Sequence, residues 1–568
     1  MRKTVSILAV LTMLAALILS GCASATPIAT TAATTAEGSA QPSGTDQPAA
    51  PEQPEKMTIK VMISWDGDFP LDKNWNTVDY EKRTNVHVIW DAVPSDGWIE
   101  KRSLAFASGD LPDAVASGAD VLNFKPADEA KYGSQGLIVP LNGLIDKDSV
   151  YLKQILTANP LYEKIIKSGD GNIYTLPDFN VCFHCDYSQK MWINTSWLKK
   201  LNLSMPTTTD EFENVLKAIK TGDPNGNGKA DEIPLTAAID GWHWYLDGFL
   251  MNAFAYTDDE TRMHIESGKV VFEPTLDSYR EGLRYLNKLY SEKLIDPASF
   301  TQNWTTVEKL NESGDLAVVG AMPAGANFML VGGMTVSNKW KDYEPVPPLA
   351  GPNGFKTATN YTLRRDVTTG FFAITKAAAD PARILKWVDW LYSEEGTIWH
   401  DEAGGREGID WRASNGTETD FNGNPAKYVK LQTPETDQYF KNVVWGQKFP
   451  SYRSKEFREG WAVPKNWNDD DPMGGELLLY QASKEYAKVA APIDYCLPPL
   501  VVDTDKISEY TRLQTAINDY LKEYSAKFII GDMNLDTDWE KFKSQLDGIG
   551  LAKYIQMTQE AYDAKFAK

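Results

Sequence analysis

The feature that most constrains the fold of this chain is the alternation of strand and helix patterns between residues 58 and 116. Residues 58–65 alternate with a period of two, which predicts a strand that stops at Trp65 and Asp66. Residues 75–83, 86–90, 95–108 and 111–116 then predict helix, strand, helix and strand. Strands that alternate with helices form a parallel sheet, whose ligands bind at the carboxyl edge. The predicted fold class is therefore α/β.

Length and charge narrow the class of protein further. The chain has 568 residues, of which 42% are hydrophobic. That number of hydrophobic residues is too large for one core of usual size, so two lobes are expected. The formal net charge is -21. A chain this acidic is repelled by phosphate backbones and by anionic membranes, which excludes nucleic acid as an expected partner.

The N-terminus has the pattern of an export signal. Two basic residues precede an apolar run over 5–19, which is shorter than the roughly 20 residues that span a bilayer. Leu19-Ser20-Gly21-Cys22 resembles the bacterial lipobox. We predict a signal peptide over 1–21, a lipidated Cys22 and a disordered tether over 22–56, because that stretch is rich in Ala, Thr, Pro and Ser. The alternative is an ordinary signal peptide with a chance cysteine.

Several short motifs, in order along the chain, resemble landmarks of family 1 extracellular solute-binding proteins, the maltose-binding-protein-like subunits of ABC importers. They are Ser108-Gly109-Asp110-Leu111-Pro112-Asp113, residues 136–141, residues 171–177, and Trp197-Leu198 followed by Pro206-Thr207. The resemblance implies a two-lobed, hinge-linked, periplasmic-binding-protein-like fold with its ligand in the cleft between the lobes. It implies an N-terminal lobe of residues 57–178 and 349–415 and a C-terminal lobe of residues 179–348 and 416–568.

The same resemblance implies a function. The chain is expected to be a monomer anchored by lipid on the extracellular face of the cell membrane, where it captures an oligosaccharide and delivers it to permease subunits. No hydrolase elbow, metalloprotease motif or phosphate-binding loop occurs in the sequence, and its five histidines make no triad recognisable from spacing. Two alternatives stay open: a lipid-anchored carbohydrate-active enzyme whose carboxylates are hidden among 78 acidic residues, and a peptide-binding member of the same fold.

The sharpest chemical motif lies at residues 223–232. Oxygen-bearing side chains at its first, third and fifth positions, with glycine at the sixth, suit a hard cation such as Ca²⁺. Pro234 stands where an EF-hand has its last glutamate. That departure resembles the calcium loop of alginate-oligosaccharide-binding family members, and it implies a structural Ca²⁺ with these ligands: the side chains of Asp223, Asn225, Asn227, Asp231 and Glu232 and the carbonyl of Lys229. The alternative is an Asn-Gly turn that binds no metal.

The cysteines after Cys22 leave three alternatives. Cys182 and Cys185, with His184 and Cys496, could bind zinc if their loops converged. Cys182 and Cys185 could instead form a disulfide in an oxidising exterior. From the sequence we favour the third alternative, a pair of ordinary free or packed thiols.

The 18 tryptophans are more than two cores of this size require. A sugar cleft combines aromatic platforms for the flat C–H faces of the rings with polar groups for the hydroxyls. Tryptophans on predicted helices, such as Trp197, are interpreted as packing, whereas those in loop-like stretches are candidates, although any one of them could be a buried anchor. The predicted ligand-binding residues are Trp65, Asp66, Trp242, Trp244, Trp304, Trp445 and Trp461.

Overall fold

The computed structural model describes residues 55–566 apart from 67–68, 119–121, 313, 315, 335–336, 403–404, 432–443 and 504. The predicted signal peptide, Cys22 and nearly all of the predicted tether lie outside these residues. The described residues belong to one compact unit. None of the helices described there combines the length and the apolar composition that crossing a membrane requires.

The elements are numbered along the described part of the chain. The strands are β1 Met57–Ser64, β2 Val86–Val93, β3 Ala114–Ala116, β4 Leu176–Asn180, β5 Lys190–Asn194, β6 Ile233–Leu235, β7 Met263–Glu266, β8 Lys269–Phe272, β9 Val319–Ala324, β10 Tyr343–Val346, β11 Val367–Ile374, β12 Trp411–Ala413, β13 Tyr428–Lys430 and β14 Tyr452–Arg453. The helices are α1 Trp75–Thr84, α2 Trp98–Ser108, α3 Pro126–Ser134, α4 Asn142–Asp148, α5 Tyr151–Ala158, α6 Pro160–Ile166, α7 Phe183–Asp186, α8 Thr195–Lys200, α9 Thr209–Gly222, α10 Asp277–Ser291, α11 Trp304–Glu312, α12 Thr362–Arg365, α13 Pro381–Asp389, α14 Glu394–Thr397, α15 Lys455–Glu459, α16 Gly474–Ala487, α17 Ile507–Ile530, α18 Trp539–Ile549 and α19 Leu551–Phe566.

The first sheet has the strand order β14-β4-β11-β3-β1-β2. β1 pairs in parallel with β2 and with β3, as the alternating pattern predicts. Ile59, Val61 and Ile63 lie on one face of β1 and are at most 1% exposed, which places the core on that face. β11 pairs antiparallel with both β3 and β4, so the sheet is mixed rather than wholly parallel. The predicted α/β class is confirmed.

The second sheet has the order β10-β5-β9-β6. β6 and β9 run parallel, while β5 pairs antiparallel with β9 and with β10. α9 packs its apolar face into the core of this sheet, and its N-terminus has a capping box. The Thr208 hydroxyl accepts from the N–H of Glu211 at 3.2 Å, and the Glu211 carboxylate accepts from the N–H of Thr208 at 3.2 Å. Trp192 of β5 lies on the opposite face, in a core with Trp244 and Trp340.

The chain passes from the first sheet to the second along residues 181–189 and returns along 347–366. Later in the chain, β14 pairs with β4 in the first sheet. Arg453 of β14 donates to Asp178 of β4 at 2.6 Å, and both side chains are buried. The sequence assigns 416–568 to the C-terminal lobe; within that range β14 pairs in the first sheet, whereas the last helices pack on the core of the second. The lobe boundaries as a whole stay a prediction.

The C-terminal helices α17, α18 and α19 pack on the core of the second sheet. An apolar repeat at helical spacing forms one face of α17, where Leu513, Ile517 and Leu521 are at most 6% exposed. Gly531 follows with a φ of 89°, a left-handed conformation that ends the helix. The last helices therefore complete the second core.

Candidate functional site

Trp65 and Asp66 follow β1 at the carboxyl edge of the first sheet, where the sequence places them. The Trp65 ring is 8% exposed, and its indole nitrogen donates to the carbonyl of Phe69 at 3.4 Å. Asp66 is exposed and accepts the N–H of Ser95 at 2.8 Å together with the Ser95 hydroxyl. Partial burial raises the pKa of Asp66, but the hydrogen bonds from Ser95 outweigh it and lower the pKa overall. This edge presents a fixed, ionised carboxylate beside a largely covered ring.

Trp242 stands at the carboxyl edge of the second sheet, in the loop after β6. Gly325, directly after the parallel strand β9, donates its N–H to the Trp242 carbonyl at 2.9 Å. The indole lies so close to Gly325 that a Cβ at this position would come within 2.1 Å of a ring atom. Because Trp242 is only half-buried, one side of its ring is supported by backbone while part of the ring stays accessible. This is the geometry of an aromatic platform.

Trp242, Trp244 and Trp304 lie around Gly241. A Cβ on Gly241 would come within 2.8 Å of Trp244 and 3.1 Å of Trp304, and the φ of 91° also favours glycine there. Trp304 is half-buried, and its backbone N–H donates to the Asp240 carboxylate at 2.9 Å. Trp244, in contrast, is fully buried and offers no face to a ligand in this structure. Its role here is to support the other two rings.

His243, between two of these tryptophans, is held by a chain of buried hydrogen bonds. Its Nδ1 lies 2.9 and 3.0 Å from the two oxygens of Asp259, and its Nε2 lies 2.7 Å from the hydroxyl of Ser188. Tyr361 donates to Asp259 at 2.7 Å. Burial raises the pKa of Asp259, but the neighbouring His243 and the hydrogen bonds hold it well below its usual range. Because Ser188 and Tyr361 lie in the two passages between the sheets, both passages meet at the residue beside Trp242.

Ser188, His243 and Asp259 have the hydrogen-bond order of a catalytic triad, which the spacing of the histidines does not reveal. A nucleophile must reach its substrate, and Ser188 is fully buried. The Asp259 carboxylate is also shared with Tyr361. We therefore assign this chain of hydrogen bonds a structural role.

Trp445 and Trp461 do not join the residues at either edge. Trp445 is 1% exposed inside the first core, where its ring centroid lies 4.6 Å from that of Phe449 and its indole nitrogen donates to Thr77 at 3.0 Å. Trp461 is 5% exposed in a separate cluster, 5.2 Å from the ring of Tyr428. Polar neighbours in sequence predicted open loops, but burial gives the prediction for Trp445 no support.

Cys182 and Cys185 form a disulfide, which corrects the preference for packed thiols. Within the described part of the chain, Cys182, His184 and Cys185 are the group of His, Cys, Asp or Glu whose ligand atoms lie within 4.8 Å of one another. A disulfide leaves its sulfurs no thiolate for zinc. Cys496 is a free cysteine outside this group, and burial raises the pKa of its thiol to about 11.

The loop over 223–232 follows α9 and folds back on itself. Asp223 ends the helix with a φ of 46°, and its carboxylate accepts the N–H groups of Gly226, Asn227 and Gly228 at 3.0 to 3.1 Å. Gly226 and Gly228 have left-handed φ values of 76° and 74°. The backbone conformation therefore depends on the Asp and Gly positions that define the motif.

Two of the amide side chains of this loop contact Asp231. Its carboxylate accepts from the amides of Asn225 and Asn227 at 2.9 to 3.1 Å, and these hydrogen bonds lower its pKa. Glu232 accepts the N–H of Asn225 at 3.4 Å, and the N–H of Lys229 donates to Asn227 at 2.7 Å. The amide nitrogens of Asn225 and Asn227 face Asp231, while their oxygens accept the N–H groups of Asn227 and Lys229 at 3.0 and 2.7 Å. This all-oxygen set fits a hard cation.

A cavity of about 290 Å³ lies in the second lobe between the loop after β6 and α17. Tyr245, Asp247, Arg262 and Phe300 are among its lining residues, and none of the predicted tryptophans is. Arg262 donates to Asp247 at 3.0 Å, and Tyr279 donates to the same carboxylate at 3.0 Å. Asp247 is thus satisfied by two residues of the cavity wall, and the lining contains none of the predicted ligand-binding residues.

Sequence reasoning missed Gly325, Ser188, Asp259 and Tyr361. Gly325 lies 83 positions from Trp242 in the numbering, and Tyr361 is separated from Asp259 by 102. No local pattern marks such partners. Only Gly325 carried a signal, because a glycine beside a strand indicates a close backbone approach, and Gly325 directly follows β9.

The sequence is similar to bacterial solute-binding proteins. Residues 64–398 match the family described as bacterial extracellular solute-binding protein. The fructooligosaccharide ABC transporter substrate-binding protein FusA of Streptococcus pneumoniae is 30% identical over 90% of each chain. Lipoprotein LipO of Bacillus subtilis is 27% identical over 60% of this chain and 66% of that protein.

A solved structure shows the same two-lobed architecture. It is an EF-hand mutant of S. pneumoniae FusA in complex with fructo-nystose, with a TM-score of 0.72 and 25% identity over 89% of this chain and 99% of that one.

Proposed function

This chain belongs to the bacterial extracellular solute-binding proteins, and we propose that it captures an oligosaccharide and delivers it to the permease subunits of an ABC importer. The observation that carries the ligand class is the half-buried Trp242 ring held against Gly325 at the carboxyl edge of the second sheet. Such a ring suits the C–H face of a sugar. The relatives are substrate-binding proteins, which favours binding over the carbohydrate-active enzyme.

The proposed cleft lies between the carboxyl edges of the two sheets. Asp66, oriented by Ser95, supplies a hydrogen-bond acceptor from the first sheet, with Trp65 beside it. Trp242 and Trp304 supply rings from the second. We keep these four as the ligand-binding set, and we place Trp244, Trp445 and Trp461 in the supporting cores, where they are 0%, 1% and 5% exposed. A ligand that touches both edges would draw the lobes together, and the passages over 181–189 and 347–366 would act as hinges.

Replacing Trp242 with Ala should weaken oligosaccharide binding by about 1 to 3 kcal/mol, because the sugar loses its platform. A thermal-shift screen of plant, algal and host oligosaccharides, with a peptide panel beside it, identifies the ligand, and calorimetric titration then measures affinity. Trp390→Ala is the matched control, since this half-buried ring packs 5.3 Å from Tyr80 and lies at neither edge.

Three outcomes would contradict the proposal. Equal losses in the two variants would remove Trp242 from the site. A shift with peptides alone would favour the peptide-binding alternative. Shortened sugar products after incubation would favour the enzyme.

We also propose that the loop over 223–232 holds a structural Ca²⁺. The FusA structure of an EF-hand mutant supports this, because that relative has such a site to mutate. The ligands would be the side chains of Asp223, Asn225, Asn227, Asp231 and Glu232 with the carbonyl of Lys229. The loop joins α9 to β6, so a bound ion would fix the entry to the strand that precedes Trp242.

Membrane anchoring through Cys22 is a further part of the proposal, supported by the lipobox pattern and by the similarity to a protein named as a lipoprotein. Cys22→Ala should release the protein into the medium, since no acyl chain can then be attached. When the cell fraction is partitioned with a phase-forming detergent, the wild-type protein should enter the detergent phase and the variant should not. Cys496→Ser is the control and should stay with the membranes. Retention of the Cys22→Ala protein would show another anchor.

A further inference from the structure

The Cys182–Cys185 disulfide lies in the first passage between the sheets, and the proposed function makes no use of it. Its two ends differ in exposure. Cys182 is fully buried, whereas Cys185 is only half-buried. A thiol that approaches from solvent therefore meets Cys185 first.

The buried end of the disulfide has a cationic neighbour. Arg458 of α15 donates from Nη2 to Cys182 Sγ at 3.3 Å. Arg458 also lies 3.5 Å from Glu476, which is 3.3 Å from Nδ1 of His184, so the guanidinium is fixed in place. A positive charge beside a sulfur stabilises its thiolate, and a stabilised thiolate is the better leaving group. Cys185 is thus the sulfur open to attack, and Cys182 is the leaving group.

We propose that Cys182–Cys185 is a thiol–disulfide exchange site that accepts two electrons from an external dithiol. One thiolate of the dithiol attacks Cys185 Sγ, the bond between the two protein sulfurs breaks, and Cys182 leaves with the electron pair beside Arg458. The second thiolate of the dithiol then attacks the dithiol sulfur that is bonded to Cys185. That bond breaks, and Cys185 leaves as a thiolate. The dithiol is oxidised to a disulfide, its two protons pass through solvent to Cys182 and Cys185, and the protein disulfide is reduced.

Reduction of this disulfide would affect the segment that connects the two sheets. The disulfide closes one short turn in a segment that joins β4 of the first sheet to β5 of the second. Phe183, between the two cysteines, packs 5.1 Å from Tyr480 of α16. Reduction therefore removes a covalent constraint from a segment that connects the two sheets.

The direction of attack can be read from the products. The folded full chain is incubated with glutathione as a single-thiol probe, quenched with iodoacetamide and mapped by peptide mass spectrometry. We expect glutathione on Cys185 and the carbamidomethyl group on Cys182. Cys496 is the internal control: it has no disulfide to exchange and burial raises its pKa to about 11, so it should carry no glutathione. Glutathione on Cys182 instead, or modification only after denaturation, would overturn the proposal.

The role of the guanidinium is tested by rate. Arg458→Gln should slow reduction by dithiothreitol by about tenfold, and Arg458→Lys should restore most of the rate because it keeps the positive charge. The matched control is Lys455→Gln on the same helix, whose side chain is 64% exposed and whose ion pair with Glu459 spans 4.0 Å. Equal rates for Arg458→Gln and Lys455→Gln would show that Arg458 does not stabilise the leaving sulfur. Peptide mapping of the wild-type chain remains decisive if Arg458→Gln does not fold.

Discussion

Asp259→Ala should lower the free energy of unfolding by about 2 to 6 kcal/mol, because each buried donor left without its acceptor costs about 1 to 3 kcal/mol. The Asp259 side chain is 0% exposed and that of His243 is 1% exposed, so water cannot replace the lost carboxylate. Two donors would lose their acceptor at once, His243 through Nδ1 and Tyr361 through its hydroxyl. Urea unfolding of the full chain, followed by tryptophan fluorescence, measures the change.

Two further variants separate charge from hydrogen bonding. Asp259→Asn keeps an oxygen that can accept from both donors and should cost less than Asp259→Ala. Glu281→Ala removes an acid that is 49% exposed on α10, and its effect should stay within about 1 kcal/mol. If Asp259→Ala matched Glu281→Ala, the buried pair would not hold the two passages together.

The lowered pKa of Asp259 also makes the free energy of unfolding depend on pH. Its pKa is lowered in the folded state, so its contribution to stability is fully present above the pKa of an ordinary Asp. That contribution is lost as the pH falls through the folded-state pKa. Wild type and Asp259→Ala should therefore differ most at neutral pH and converge in strong acid.

Removal of calcium should lower the free energy of unfolding by about 4 kcal/mol when the free ion had been present at about 1,000 times its dissociation constant. The physical reason is that the folded loop binds the ion and the unfolded chain does not. Thermal melting with and without a chelator measures the effect. The variant Asp223→Ala with Asp231→Ala should melt at the same temperature under both conditions.

The chain contains a matched control for this experiment. Residues 420–424 also place Asp and two Asn at alternate positions, and Asp420 accepts the N–H groups of Asn422 and Asn424 at 2.8 and 2.9 Å. That loop lacks acids at the ninth and tenth positions. Asp420→Ala should keep the full sensitivity to chelator. If the wild-type melting temperature did not respond to chelator, the proposed calcium site would be wrong.

The comparison of Trp242 with Trp445 shows where sequence reasoning about the site stops. Both lie among polar residues, so local composition predicts an exposed loop for each. Trp242 stays half-buried because Gly325 supports only one side of its ring. Trp445 is buried because it packs inside the first core, where Trp387 and Phe449 lie 5.7 and 4.6 Å from its ring. Which strands a loop returns to is a non-local property.

The sequence by itself determined the elements whose causes are local. Period-two alternation determined β1, the Thr208 and Glu211 pair determined the start of α9, and apolar spacing determined the buried face of α17. The Asp and Gly positions of the loop over 223–232 likewise determined its backbone. Only the tertiary structure decided that Ser188, His243, Asp259 and Tyr361 meet, and that Arg458 lies against Cys182. These contacts join residues 16 to 276 positions apart, so they depend on sheet order and on where the chain passes between the sheets.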